Sequence, residues 1–283
     1  MASLHAPQRK FPVLVIAHRG ASGECPENTL AAFRRAIELG SDMLECDVQC
    51  SRDGTLVVLH DARVDRTTDG RGWVRHLTWR ELSRLDAGSW FSPAFRGERL
   101  PALEDVLALT AGKVALNIEI KRCHGSTMTA ERFVDRIATL VSQSGGGTPV
   151  LISSFDARPL VRLKACYPEI PTALLALSRP RGGIPGAVQR LGVQALHVSR
   201  HRTSHALLME AGVASCPVRA FTVDSVWSMR RLIARGVDGL FTNYPDRLQR
   251  LLTQIFSPAA RDVWSSSAPA LRRRRLPRWG QRR

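Results

Sequence analysis

Eight short apolar runs, separated by segments with a helical pattern, most constrain the fold of this 283-residue chain. Most of the runs are continuously apolar rather than alternating, as expected of parallel strands that are buried on both faces. The predicted strands cover residues 13–18, 43–48, 115–121, 150–154, 172–177, 195–199, 219–223 and 239–243. The intervening segments predict amphipathic helices, such as residues 29–39, which begin at Asn28 or Thr29 and end at Gly40.

Repeated strand and helix units without a break in composition predict an α/β protein with a single closed (βα)8 TIM barrel. The barrel is expected to occupy residues 11–256. An open, doubly wound sheet is the alternative architecture, because it is built from the same repeated unit.

Two segments depart from the repeat. Asp53 and Gly54 form a two-residue turn signal, which predicts that the second strand extends into an antiparallel hairpin. With those two residues as the turn, Arg52 pairs with Thr55, and Asp47 lies opposite His60. A polar, Arg- and Gly-rich stretch over about residues 61–99 predicts a small insertion at one end of the barrel.

The formal net charge of +16 is unevenly distributed. Residues 261–283 hold eight Arg and one acid, Asp262, so residues 1–260 carry +9. Residues 257–283 are predicted to be a disordered, basic Arg-rich tail, because they lack a periodic apolar face. No stable nucleic acid partner is expected. The alternative interaction of the tail is a weak contact with an anionic membrane.

The sequence predicts an intracellular, cytoplasmic protein. Its six Cys form no CxxC pair, and no apolar run of secretory length precedes Phe11. No stretch approaches the roughly 18 apolar residues that a membrane-spanning helix needs.

Polar residues follow several predicted strands at their carboxyl ends, where barrel enzymes place their active residues. The first strand ends in His18 and Arg19, and the hairpin ends at His60. The second and third strands of the barrel add an acidic and basic set, which consists of Glu45, Asp47, Glu119 and Lys121.

These residue types indicate a particular chemistry. Three converging carboxylates repel one another unless a cation lies between them, and an all-oxygen set favours a hard divalent metal, Mg²⁺ or Ca²⁺. The two imidazoles, His18 and His60, are then available for proton transfer. Arg19 and Lys121 supply fixed positive charge for an anion such as phosphate.

At these residues the chain resembles the glycerophosphodiester phosphodiesterase family. The matching signatures are His18-Arg19-Gly20, Pro26-Glu27-Asn28-Thr29, Glu45-Cys46-Asp47, Asp53-Gly54, His60-Asp61 and Glu119-Ile120-Lys121. The resemblance covers roughly residues 13–250.

The resemblance implies a TIM barrel that cleaves glycerophosphodiesters to glycerol 3-phosphate and an alcohol with a divalent metal. It implies that Glu45, Asp47 and Glu119 ligate the metal and that the two histidines are the acid/base pair. Arg19 and Lys121 would hold the phosphate. Three residues are expected to support the site, namely Glu27, Asn28 and Phe221.

Departures from the family pattern lie late in the chain. Phe221 stands where Trp is frequent, and its ring is expected to wall a small polyol. Asn243 replaces a frequent Asp, and Asp224 adds a charge near the rim, so these departures bear on substrate preference more than on the chemistry.

Two other functions remain open from the sequence. A lysophospholipase D would use the insertion to accept an acyl chain, although the few exposed apolar residues expected in residues 61–97 argue against it. A non-enzymatic binding protein on a barrel scaffold would use the Arg-rich tail to contact nucleic acid or anionic membrane.

Overall fold

The computed structural model describes residues 10–121, 129–144 and 147–257. The predicted Arg-rich tail lies outside the described residues, apart from Ser257. None of the helices in the described ranges has the length and apolarity needed to span a membrane.

Eight parallel strands form a closed barrel, and a ninth strand, β3, pairs antiparallel with β2. The strands are β1 (Leu14–His18), β2 (Met43–Cys50), β3 (Leu56–Val58), β4 (Ala115–Ile120), β5 (Val150–Ser154), β6 (Thr172–Ala176), β7 (Ala195–Ser199), β8 (Val218–Phe221) and β9 (Gly239–Thr242). The barrel closes because β1 pairs with both β2 and β9. The predicted TIM barrel is confirmed, and the open sheet is wrong.

Helices follow the barrel strands, and most of them begin at a residue whose side chain caps the first turn. They are α1 (Leu30–Glu38), α2 (Trp79–Leu82), α3 (Leu103–Thr110), α4 (Ala130–Gln143), α5 (Ala157–Cys166), α6 (Gly183–Leu191), α7 (His205–Val213), α8 (Val226–Arg235) and α9 (Pro245–Ile255). The Thr29 hydroxyl accepts a hydrogen bond from the backbone N–H of Ala32 and caps α1. Helix α8 begins after Ser225 and ends at Gly236, whose left-handed φ of 87° suits glycine.

The barrel interior is apolar in its lower part but contains two buried polar side chains. Ile16 and Phe241 form an interior cluster with Met43. Beside it, His197 and Arg219 lie opposite each other on β7 and β8, and both are almost fully buried. Gly239 makes room for this arginine, because a Cβ at 239 would lie 3.2 Å from the Arg219 Cγ and 3.1 Å from the Leu14 Cβ.

The hairpin register differs by one residue from the prediction. Val48 pairs with Val58, and the backbone N–H of Ser51 donates to the carbonyl of Thr55. The turn therefore contains three residues, 52–54, of which Gly54 has a left-handed φ of 88°. As a result the predicted pairings of Arg52 with Thr55 and of Asp47 with His60 are wrong.

The insertion builds a small apolar core of its own against β3. It contains α2 and two short 3₁₀ helices, Val74–His76 and Pro93–Phe95. Its buried side chains pack in a separate cluster, which consists of Val57, Leu59, Val64, Val74, Leu82, Ala87 and Leu100. This core fixes the segment that follows His60, and so helps to place that residue at the barrel mouth.

Candidate active site

A pocket of about 170 Å³ opens at the carboxyl ends of the barrel strands. This volume is below the roughly 300–1,000 Å³ of sites for drug-sized ligands, so the pocket suits a small molecule. Its polar lining residues are His18, Arg19, Glu45, His60, Asn117, Glu119, Lys121 and Thr222. Its apolar lining residues are Phe155, Leu175, Phe221 and Phe241.

Three carboxylates meet beneath the polar half of the pocket. One oxygen each from Glu45, Asp47 and Glu119 lies within 4.8 Å of the others. The strands enforce this grouping, because Glu45 and Asp47 alternate on β2 and Asp47 pairs in register with Glu119 on β4. All three side chains are buried, with exposed fractions of 2%, 1% and 8% in that order.

Two cations lie against this acidic cluster. The Arg19 Nε lies 3.2 Å from Asp47 Oδ2, and the Lys121 Nζ lies 2.8 Å from Asp47 Oδ1. Lys121 also forms an ion pair with Glu119. The predicted phosphate-binding residues thus sit directly beside the predicted metal ligands.

The three carboxylates differ in proton affinity. Burial and the neighbouring Asp47 and Glu119 charges raise the pKa of Glu45 well above its ordinary value. Burial and Asp47 raise the pKa of Glu119 to about 7. For Asp47, burial opposes ionisation, but Lys121 and Arg19 outweigh it and hold its pKa below the ordinary value. One carboxylate is therefore firmly ionised, and two bind a proton more readily than usual.

The donor set fits a hard divalent cation. All the acidic ligands offer oxygen, which Mg²⁺ and Ca²⁺ prefer. The buried Glu45 Oε1 and Asn117 Oδ1 have no hydrogen-bond partner within the described part of the chain. A bound cation would also neutralise the repulsion that raises the pKa of Glu45 and Glu119.

His18 ends β1 and contacts the end of β9. Its Nδ1 lies 2.7 Å from Asn243 Oδ1, and the Ser22 hydroxyl donates to the same oxygen over 2.9 Å. Burial, followed by the Arg19 charge, lowers the pKa of His18 to about 4. The His18 ring is therefore neutral at neutral pH.

His60 follows β3 and has a different partner. Its Nδ1 lies 2.5 Å from Asp61 Oδ1, and Arg66 Nε donates to the other oxygen of Asp61 over 2.6 Å. Burial lowers the pKa of His60, although the Asp47 charge acts in the opposite direction. Despite the shifted register, His60 lines the same pocket as His18.

The two predicted supporting residues of the first loop contact different partners. The Asn28 Nδ2 donates to Asp47 Oδ2 over 2.9 Å, which holds that carboxylate from the loop. Glu27 instead binds two arginines: Arg19 Nη1 lies 2.9 Å and Arg66 Nη2 lies 2.7 Å from its Oε1. Glu27 is therefore placed to orient Arg19.

Aromatic rings form the opposite side of the pocket, as predicted for Phe221 alone. Phe221 contacts Phe155 and Phe241 edge to face, with ring centroids 5.9 and 6.4 Å apart. The sequence reasoning did not select Phe155, Leu175 or Phe241. Phe155 directly follows β5, so its position at a strand end was the available signal.

Three further polar residues of the site were not predicted as such. Asn117 alternates with Glu119 on β4, and this spacing could have identified it. Asp224 was expected to add a charge near the rim, and its carboxylate accepts hydrogen bonds from Asn243. Arg66, in the insertion, was not selected from the sequence as a site residue, because its partners Glu27 and Asp61 belong to separate loops.

Comparisons with known proteins agree with this geometry. The profile of the glycerophosphoryl diester phosphodiesterase family matches residues 18–247. A glycerophosphodiester phosphodiesterase of Caldanaerobacter subterraneus is 38% identical over 243 residues, which cover 84% of this chain and 97% of the relative. YhdW of Bacillus subtilis, provisionally assigned to the same activity, is 40% identical over 82% of this chain and 95% of its own length.

Solved structures also match. A phosphodiesterase of Oleispira antarctica, in complex with the product sn-glycerol-3-phosphate, superposes with a TM-score of 0.80 at 32% identity. The alignment covers 86% of this chain and 97% of that one.

Fold, pocket and relatives together define a phosphoric diester hydrolase on a TIM barrel. The chain belongs to the glycerophosphoryl diester phosphodiesterase family. The lysophospholipase D and binding-protein alternatives are not favoured by these comparisons.

Proposed function

We propose that this enzyme hydrolyses glycerophosphodiesters to glycerol 3-phosphate and an alcohol, with a divalent metal and two acid/base histidines. The observation that carries the proposal is that both histidines line one small pocket with Glu45 and Glu119, whose carboxylates meet that of Asp47. The product bound to the Oleispira antarctica relative supports glycerol 3-phosphate as the product here.

Glu45, Asp47 and Glu119 would hold the metal, which we propose to be Mg²⁺ or Ca²⁺. Bound there, the cation would withdraw charge from the phosphate oxygens and favour attack on phosphorus. Asn28 fixes the Asp47 carboxylate through a hydrogen bond. This contact keeps one ligand in place before the metal binds.

Arg19 and Lys121 are proposed to bind the phosphate. Both side chains are largely buried, and both line the pocket. Their charges now balance the carboxylates, so a divalent cation would free them to contact an anionic substrate. Glu27 holds the Arg19 guanidinium from the side of the first loop.

His18 and His60 are proposed to move the protons. One imidazole accepts the proton of the attacking oxygen, and the other donates a proton to the departing alkoxide. Each ring is held through Nδ1, His18 by Asn243 and His60 by Asp61. The Nε2 atom of each ring is therefore the one available for proton transfer.

The direct test is hydrolysis of glycerophosphocholine and glycerophosphoethanolamine by the purified protein, with detection of glycerol 3-phosphate. A chelator should abolish the activity, and Mg²⁺, Ca²⁺ or Mn²⁺, added separately, should restore it to different extents. Activity that is indifferent to chelation would contradict the role of the acidic cluster.

A pair of matched variants separates the metal site from general effects of charge. Glu45→Gln should lose activity and should also lose the rise in unfolding temperature that the metal gives the wild type. Glu169→Gln, at an exposed acid outside the pocket, should keep both. Equal responses of the two variants to the metal would place the cation elsewhere.

A further inference from the structure

Asn243 connects His18 to an acid that the proposed mechanism does not use. It directly follows β9, which pairs with β1 so that Ala17 lies opposite Thr242. This pairing brings Asn243 beside His18, and their side chains meet with 2.7 Å between Oδ1 and Nδ1. Closure of the barrel between β9 and β1 thus brings together two residues that lie 225 positions apart in the sequence.

Asp224 determines which way the Asn243 amide points. The Asn243 Nδ2 donates to Asp224 Oδ2 over 2.9 Å, and the Asn243 backbone N–H donates to Asp224 Oδ1 over 2.8 Å. The Thr242 hydroxyl donates to the same Oδ1 over 3.1 Å. A carboxylate only accepts hydrogen bonds, so the amide nitrogen must face Asp224 and the amide oxygen must face His18.

The amide oxygen in turn determines where the imidazole proton lies. Because Asn243 Oδ1 cannot donate, the His18 Nδ1 must carry the hydrogen in the neutral ring. The His18 Nε2 then has a free lone pair. In metal sites and catalytic triads, an equivalent hydrogen bond to Nδ1 fixes the tautomer and the orientation of a histidine.

We propose that Asn243, oriented by Asp224, is a positioning residue that holds His18 in the Nδ1–H tautomer and presents Nε2 as a proton acceptor. This inference rests on the proposed catalytic role of His18. It assigns Asp224 to the support of catalysis rather than to substrate preference.

The chemistry of the partner is informative. An amide is neutral, so its hydrogen bond raises the pKa of His18 less than a carboxylate would. Burial and the Arg19 charge outweigh that contribution and lower the pKa of His18 to about 4, so the ring is neutral before it accepts a proton. His60 differs, because its Nδ1 faces the Asp61 carboxylate.

Asp224→Asn is the sharpest test, because it changes one oxygen to an NH₂ group. The new side chain should keep its oxygen on the two donors of Thr242 and Asn243, which turns its NH₂ group towards the Asn243 amide nitrogen. The Asn243 amide should then rotate, present its NH₂ group to His18 and convert the ring to the Nε2–H tautomer. In serine proteases the wrong tautomer costs about 10⁴ in kcat, and here we expect a fall of at least about 100-fold with little change in KM.

The double variant Asp224→Asn/Asn243→Asp should reverse the effect. The exchanged pair restores an acceptor-only side chain beside His18 and a donor beside that acceptor. We expect the Nδ1–H tautomer to return and kcat to recover at least about tenfold over Asp224→Asn alone. A role limited to packing would not respond to this exchange of nitrogen and oxygen.

Nitrogen-15 NMR of the histidine rings reports the tautomer without any need for activity. His60 is the internal control, and its signals should stay the same in all the variants. A His18 ring that is Nε2–H in the wild type, or that is unchanged by Asp224→Asn, would overturn the inference. If the wild type shows the expected tautomer but hydrolyses no glycerophosphodiester, the proposed function fails and the positioning of His18 stands.

Discussion

The two sides of the pocket are built on different physical principles. On the side of β1, β2 and β4, buried charges are held by ion pairs and hydrogen bonds to one another, with Arg19 and Lys121 against the acidic cluster. On the side of β5, β6, β8 and β9, Phe221 contacts both Phe155 and Phe241 edge to face. The first side can act on a phosphate, whereas the second can only contact the organic part of a substrate.

Because the two sides differ, mutations on them are expected to change different kinetic constants. Charged groups act at the reacting atoms, so their loss should lower kcat. Aromatic rings contribute contact area and weak attraction to cations, so their loss should raise KM. Four predictions test this division, and they are ordered from the largest expected effect to the smallest.

Removal of either pocket histidine should have the largest effect. We expect His18→Ala and His60→Ala each to lower kcat about 100- to 10,000-fold, because each removes one acid/base step. His205→Ala, at an exposed histidine on α7, is the matched control and should retain the wild-type kcat. Steady-state kinetics on glycerophosphocholine measures the effect, and a similar fall in the control would refute the assignment.

His197 lies beneath the aromatic side and should affect stability instead of catalysis. Its ring contacts Phe241 with 4.8 Å between ring centroids. Burial, followed by the Arg219 charge, lowers the pKa of His197 well below the ordinary 6.5. Its contribution to stability is therefore fully present above pH 6.5 and is lost as the pH falls below that value, because the unfolded chain then binds the proton more tightly.

Between about pH 7 and about pH 5, this histidine should cost the wild type up to about 2 kcal/mol of unfolding free energy. In His197→Leu, the difference in unfolding free energy between the two pH values should be smaller by that amount. Urea unfolding at both pH values measures it, with His205→Leu as the exposed control. An unchanged difference in His197→Leu would mean that the buried ring is not neutral.

Arg66 tests how far the charged side depends on the insertion. Its guanidinium binds Asp61 and Glu27, which raises the pKa of Arg66 and orients the partners of His60 and Arg19. We expect Arg66→Gln to lower kcat about tenfold, at the low end of the effects of outer-shell residues. Arg63→Gln is the control, because Arg63 pairs with Asp65 within the insertion. Equal kinetics in both variants would show that the insertion does not support the site.

Phe155 should give the smallest effect, and only on binding. Its side chain is 44% exposed at the pocket edge, where a choline head group would contact the ring. We expect Phe155→Ala to raise the KM for glycerophosphocholine about two- to fivefold, from a loss of about 0.5–1 kcal/mol of cation–π attraction. Val213→Ala, on the exposed surface of α7, is the control. A fall in kcat without a change in KM would break the division between the two sides.

The barrel was predictable because parallel strands that are buried on both faces have continuously apolar sequences. All eight predicted barrel strands lie within two residues of the observed bounds. Capping residues such as Thr29 and Gly40 also marked a helix correctly, since caps depend on local chemistry alone. The hairpin register was missed because Asp53-Gly54 is compatible with both a two-residue and a three-residue turn.

The sequence predicted which residues line the site, but it did not predict the hydrogen bonds that link them. The strand ends placed His18, Glu45 and Glu119 at one mouth, since residues that alternate on neighbouring strands share a face. The contact of Asn243 with His18 depends on the closure of β9 against β1 and on two side-chain rotamers. Neither feature can be predicted from a single sequence, so the residues that orient His18 are identified only from the structure.

Arg219, which lies inside the barrel, restricts which substitutions the neighbouring interior positions can accept during evolution. Gly239 has no side chain where Arg219 passes, and a methyl group there would press on both Arg219 and Leu14. A larger residue at 239 would require these neighbours to shift by a few tenths of an ångström, and a shorter side chain at 219 would relieve one of the close contacts. The residues at 219 and 239 are therefore expected to change together over evolutionary time.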